Sequence, residues 1–207
     1  VYKAAMSTAP ATEADTRSAI LREAVKLFAA RGYDAVSVRE IVQAAGVTKP
    51  SLYYHFGSKE GVARALFEQF MADATAMRVA VFEQTNGIRD VLEAYTREML
   101  ALALRYRNTL AFAFSIWFGR SSLKDLIKHA EEHDQCVIQE WVTLLIQRGL
   151  TERVAEVTIK AYWALLMQEL MRVVQCPEFT GCANSLADEM ATLVLHGAQA
   201  FDQEEKR

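Results

Sequence analysis

A chain of 207 residues that is 52% apolar and 24% charged has the balance of an ordinary globular protein. It is long enough for one all-helical unit, or for a small domain joined to a larger one. The formal net charge of −3 argues at first against a nucleic-acid partner, but residues 1–61 carry eight Lys or Arg against six Asp or Glu, a net +2, and the remainder carries −5, so the acidic part is the remainder, and only local patches need be basic for phosphates.

No apolar run reaches the roughly 18–20 residues of a membrane span. The longest candidate, Leu100–Leu104 with Leu110–Phe118, is cut by Arg105, Arg107 and Asn108. Val1–Ala5, ahead of Met6, has neither the apolar core nor the cleavage site of a secretory signal. It reads as added sequence or an upstream start, and a cytoplasmic protein with no membrane partner is expected. Cys136, Cys176 and Cys182 match neither a disulfide framework nor a zinc-ribbon spacing. They read as buried reduced thiols, with a regulatory disulfide between Cys176 and Cys182 as the alternative.

With nine Gly, three Pro and almost no β-branched alternation, the predicted fold class is all-α. Ile20, Ala24, Leu27 and Phe28 recur at helical spacing over about Thr16–Arg31, and Gly32 supplies a left-handed stop. Ser37-Val38-Arg39-Glu40 is a capping box, so a second helix begins at Val38 and breaks at Gly46. Thr48 caps a third helix with Pro50 in its first turn, where the missing amide has no intrahelical partner anyway. That helix closes near Phe56-Gly57. Ser58 caps a fourth, which carries Val62, Leu66, Phe67 and Phe70 and extends to about Gln84. Helices follow at about Ile88–Arg107, Thr109–Phe118, Ser122–Arg148, Glu152–Gln175 and Ala183–Gln203, about nine in all. The expected domains are residues 1–61, with 1–14 disordered or partly added, and residues 62–207.

The two short helices around Ala45-Gly46-Val47-Thr48 have the spacing of a helix-turn-helix. Ile41, Ala45, Val47 and Leu52 fall where such a unit needs inward apolar contacts. Lys49, Ser51, Tyr53, Tyr54 and His55 are left outside, on a helix of a width that the major groove admits.

Thr16–Phe67 resembles the DNA-binding domain of the tetracycline-repressor family. The likeness is carried by Arg31-Gly32-Tyr33, Val38-Arg39-Glu40-Ile41, Ala45-Gly46-Val47, Leu52-Tyr53-Tyr54-His55-Phe56 and Ser58-Lys59-Glu60. Val42 departs from it, since the family usually places a small Ala against the crossing helix. The resemblance implies that Arg39, Lys49 and Ser51 meet base edges, with the Pro50 ring against a thymine methyl. It also implies that Thr48, Tyr53, Tyr54, His55 and Lys59 grip phosphates, with Ser37 and Arg17 as weaker candidates.

One short reading helix gives modest affinity, so a pair over repeated half-sites of a double-stranded operator is expected. The stripes Val154, Val157, Ala161, Leu165 and Leu186, Met190, Leu193, Gly197, Phe201 suit a homodimer face on the last two helices, which is where the resembling family forms it. Periodicity alone fits intramolecular core equally. Among the bulky side chains of the middle helices, Met99, Phe112, Trp117, Trp141, Trp163 and Met167 suit a cavity for an apolar or amphipathic effector, with His133 as a polar handle.

The function implied is a ligand-responsive transcriptional repressor, not an enzyme, with no cofactor or metal. The alternatives are a DNA-binding structural or scaffold protein without small-molecule response, or a metal or thiol sensor. His129, Glu132, His133 and Cys136 share one side of a helix, but no second ligand segment accompanies them. His133 and Cys136 likewise lack the third group and oxyanion donor of a nucleophilic site.

Overall fold

The computed structural model describes residues 13–119, 121–176, 178–179 and 183–205. Among them the regular structure is entirely helical: α1 (Glu13–Arg31), α2 (Val38–Ala45), α3 (Lys49–Phe56), α4 (Lys59–Gln84), α5 (Ile88–Arg105), α6 (Arg107–Trp117), α7 (Lys124–Gln147), α8 (Glu152–Gln175) and α9 (Ala183–Glu205). Cys136 and Cys176, expected to be buried, are both exposed, and Val1–Ala5, Cys182 and the side chain of Phe201 lie outside the described residues.

Local chemistry explains most of these limits. Helix α1 begins three residues before Thr16, because Glu13 and Asp15 place carboxylates in a first turn whose free amides favour them. Residues 13 and 14 are therefore helical, not disordered. The Ser37 hydroxyl accepts the Glu40 amide at 3.3 Å while the Glu40 carboxylate accepts the Ser37 amide at 2.8 Å, which completes the capping box of α2. Thr48 Oγ1 accepts the Ser51 amide at 3.4 Å, and Ser58 Oγ accepts that of Gly61 at 3.0 Å. Helix α7 begins at Lys124 instead of Ser122. Ser122 is drawn to the loop after α1, where its amide and hydroxyl donate to the Asp34 carboxylate at 3.3 and 2.5 Å.

The chain forms two compact units. One holds the described part of Val1–Glu68 together with Phe112–Leu123, and the other holds Gln69–Ala111 with the described part of Lys124–Arg207. The limit expected after residue 61 is thus displaced, because residues 62–68 and 112–123 belong to the small unit. In that unit α1, α2 and α3 pack on one another, and Ile20, Ala24, Phe28, Ile41 and Leu52 are fully buried. The Phe112 ring completes its core, 5.0 Å from Phe28, 5.3 Å from Phe67 and 6.4 Å from Tyr33.

In the larger unit α5 and α8 each pack against α9 and each other, and α7 lies on α8. Its centre is aromatic: the fully buried Trp141 ring is 4.8 Å from Phe82, 4.9 Å from Tyr95 and 5.7 Å from Tyr162. The Tyr162 hydroxyl is within 2.8 Å of Thr96 Oγ1 and 3.2 Å of the Leu92 carbonyl. No helix among the described residues is long and apolar enough to cross a membrane.

Helix α4 ends without the usual glycine cap, and Arg148 takes over the task. Its guanidinium donates to the carbonyls of Thr85 at 2.7 Å, Gly87 at 2.8 Å and Phe82 at 3.3 Å. Arg148→Ala takes the guanidinium from the Thr85 and Phe82 carbonyls, while that of Gly87 keeps the Val91 amide at 3.1 Å, and is expected to cost about 2 kcal/mol in urea unfolding. Unchanged stability would show that water replaces the guanidinium at no cost.

Candidate nucleic-acid interface

The turn between α2 and α3 depends on Gly46, whose φ of 68° lies in the left-handed region that side chains resist. The Val47 amide then donates back to the Val42 carbonyl at 3.0 Å. Ile41, Val42 and Leu52 are buried, whereas Ala45 and Val47 are half-buried. Val42 therefore supplies inward contact that was expected of its two neighbours.

Leu52 is the one buried residue of α3. Lys49 and Pro50 are exposed, Tyr53 is 49% and Tyr54 73% exposed, and Ser51 and His55 are half-buried. Arg39 is exposed on α2. Neither Arg39 nor Lys49 has a hydrogen-bond or ion-pair partner among the described residues. Two unspent cations and two exposed phenols thus share the outer side of the helix-turn-helix.

Other expected contacts are engaged within the protein. Thr48 Oγ1 and Ser51 Oγ are 2.9 Å apart, and the Tyr54 hydroxyl donates to Glu13 at 3.5 Å. Ser37 donates its hydroxyl proton to Glu40 at 2.7 Å, which weakens its claim on a phosphate. Arg17 lies over the Phe56 ring at 5.3 Å.

Lys59 needs a correction. Its ammonium does not reach outward for a phosphate, but donates to the carbonyls of Tyr33 and Val36 at 2.9 Å each and sits 4.0 Å over the Tyr33 ring. Burial pushes its pKa down. The loop after α1 turns two carbonyls inward, and a cation on the first turn of α4 is the donor within reach.

The seven residues expected to line an effector cavity are divided between the two units. Phe112 is core of the small unit, and Trp117, 38% exposed, belongs to that unit as well. Met99 and Trp141 are buried in the larger one. Trp163 and Met167 line an apolar groove of about 300 Å³ with Ile138, Ile159 and Ala164. His133 is half-buried, and burial with the nearby charge of Arg78 pushes its pKa down. Periodicity finds the apolar face of a helix but not the unit that receives it. No three His, Cys, Asp or Glu side chains among the described residues come together to hold a metal ion, and no hydrogen bond joins His133 to Cys136.

A second groove, of about 480 Å³, has Phe82, Gln139, Glu140, Thr143 and Leu144 in its walls. Beside it the buried Arg78 donates from Nε to Glu140 at 3.0 Å. Sequence reasoning missed this pair, because a charged residue on an amphipathic helix reads as solvated.

A model of the tetR family of bacterial regulatory proteins matches residues 20–78. The HTH-type transcriptional repressor ComR of Escherichia coli (strain K12) is 35% identical over 80 residues, which is 38% of this chain and 38% of that one. The HTH-type transcriptional repressor KstR2 of Rhodococcus jostii (strain RHA1) is 39% identical over 78 residues, again 38% of each chain. The chain thus matches little more than a third of the length of these relatives. A solved TetR-like transcriptional regulator from Rhodococcus sp. RHA1 has a similar fold over 88% of this chain and 94% of its own, with a TM-score of 0.70 at 18% identity. The likeness to DNA-binding regulators is carried by the first part of the chain, and the likeness in fold extends over most of it. Residues 20–78 thus resemble the tetR family's model.

Two measurements check the local chemistry. Lys59→Met is expected to cost about 1–3 kcal/mol of stability, while the salt dependence of DNA binding stays as steep as before. A shallower salt slope at unchanged stability would return Lys59 to the phosphates. The Glu40 carboxyl is held down from 4.5 to about 2 by the Ser37 amide and hydroxyl and by Arg31. A depressed carboxyl stabilises above its unfolded value, and that contribution is lost as pH falls through the folded one. Glu40→Gln should therefore flatten the acid side of the stability curve between about 4.5 and about 2, and an identical curve would contradict the box.

Proposed function

We propose that this chain is a homodimeric, sequence-specific repressor that leaves its operator when a small apolar or amphipathic effector binds. The observation that carries the reading is the outer side of α3, which has Leu52 as its one buried residue and presents Lys49, Pro50, Tyr53 and Tyr54 to solvent. Arg39, Lys49 and Ser51 read base edges, with Pro50 against a thymine methyl. Thr48, Tyr53, Tyr54 and His55 fix the register on phosphates.

A second copy is supported by how the two C-terminal stripes divide. Val154 and Met190 are buried within their own unit, while Val157 is 39% and Leu193 65% exposed, with Ala161 and Gly197 exposed beside them. That exposed side is apolar and carries small residues, as close helix contact between copies requires. A dimer would pair two reading heads over repeated half-sites in the cytoplasm. For induction, the effector must prefer the arrangement that DNA does not, and DNA then weakens the effector by the same factor.

Selection from random duplexes would define the operator. Against it, Arg39→Ala is expected to lose about 1–3 kcal/mol and to relax preference at a single base pair of each half-site. A variant that selects the same sequences with the same affinity removes Arg39 from base reading.

A further inference from the structure

Arg78 is a buried cation whose protein partner is incomplete. Its side chain is 6% exposed, and Nε donates to Glu140 Oε2 at 3.0 Å. Its terminal N–H donors have no acceptor among the described residues. Glu140 is the loose half of the pair, since 53% of its side chain is exposed and water competes for its carboxylate. The same Glu140 lines the 480 Å³ groove, with Leu144 one turn further along α7 and Phe82 one turn beyond Arg78 on α4. Arg78 itself does not line the partly apolar groove, but its guanidinium stands behind Glu140, which does, and that exposed carboxylate can leave.

We propose that Arg78 anchors the head group of an amphipathic carboxylate, which displaces Glu140 from the guanidinium and lays its apolar tail along Phe82 and Leu144. The proposal rests on the reading of the chain as an effector-responsive regulator, and gives that effector a chemical class. One carboxylate leaves as another arrives, so the buried charge is never left unpaired. The incoming group can engage two parallel N–H donors where Glu140 engages one, and its tail removes apolar groove surface from water. A neutral alcohol cannot compensate Arg78 for Glu140, and an amine would have to take Glu140 itself. The exchange also releases a tie between α4 and α7 within the larger unit.

The full chain is titrated with octanoate, octan-1-ol and octylamine, read by tryptophan fluorescence, since Trp141 packs 4.8 Å from Phe82, and by thermal shift. Octanoate is expected to bind saturably and about ten-fold or more tighter than octan-1-ol. Glu140→Gln should tighten octanoate and leave octan-1-ol unchanged, and Arg78→Met should erase the preference. Should the buried Arg78 variant fold poorly, the exposed Glu140 variant decides alone. Equal binding of acid and alcohol, a preference for octylamine, or weaker octanoate binding by Glu140→Gln overturns the site. Operator release is measured separately. Octanoate binding as expected with DNA affinity unchanged keeps the site and removes the effector-responsive reading, whereas release by another compound with no octanoate binding removes the site alone.

Discussion

Leu52 has no exposed surface, although the helix that carries it has only eight residues and too few hydrogen bonds to persist alone. Burying one leucine contributes about 2 kcal/mol, which is of the order needed to hold two turns whose ends are already capped by Thr48 and Gly57. The periodicity of 3.6 residues then fixes everything else on α3. With Leu52 turned inward against α1 and α2, Pro50 and Tyr54, two residues to either side, must face away. The reading surface is thus the complement of a single apolar contact.

That contact needs a firm floor, and the small unit builds it from parts far apart in the chain. Lys59 takes up two carbonyls of the loop after α1, Tyr33 lies under its ammonium, and Phe112 packs on both Tyr33 and Phe28. Desolvating an ammonium is unfavourable, but two carbonyl acceptors and a ring face offset much of it. The positive charge that sequence logic assigns to phosphate is spent on the loop. Arg39 and Lys49, by contrast, have no acceptor among the described residues.

The local part of this architecture is legible in the sequence. Helix limits follow from Ser37, Gly46, Thr48 and Ser58 because capping needs only neighbours, and the observed helices depart from those expectations by a few residues at most. The early start of α1 is local, set by Glu13 and Asp15, but the other departures of note come from a distant partner. Ser122 leaves α7 for Asp34, and Phe112 leaves the middle helices for the core of the small unit. A helical stripe states which side is buried and is silent on what buries it, so a cavity assembled from Phe112, Trp117 and Trp141 was beyond reach of periodicity. Arg78 was hidden for the opposite reason, since its charge masks its burial.

Several polar ties hold the second half of α4 within the larger unit, and three of them are unequal in kind. Asp73 with Arg105 is exposed on both sides, and such pairs contribute about 0–1 kcal/mol. Arg148 satisfies backbone acceptors that a ligand has no reason to seek. Arg78 with Glu140 joins a buried cation to an exposed anion, so it is the tie that costs most to break and least to exchange. A ligand shifts a two-state helix only through interactions that differ between the states. An ion pair that one state keeps and the other trades for ligand supplies such a difference, on the same continuous helix that starts at Lys59 beneath the reading head.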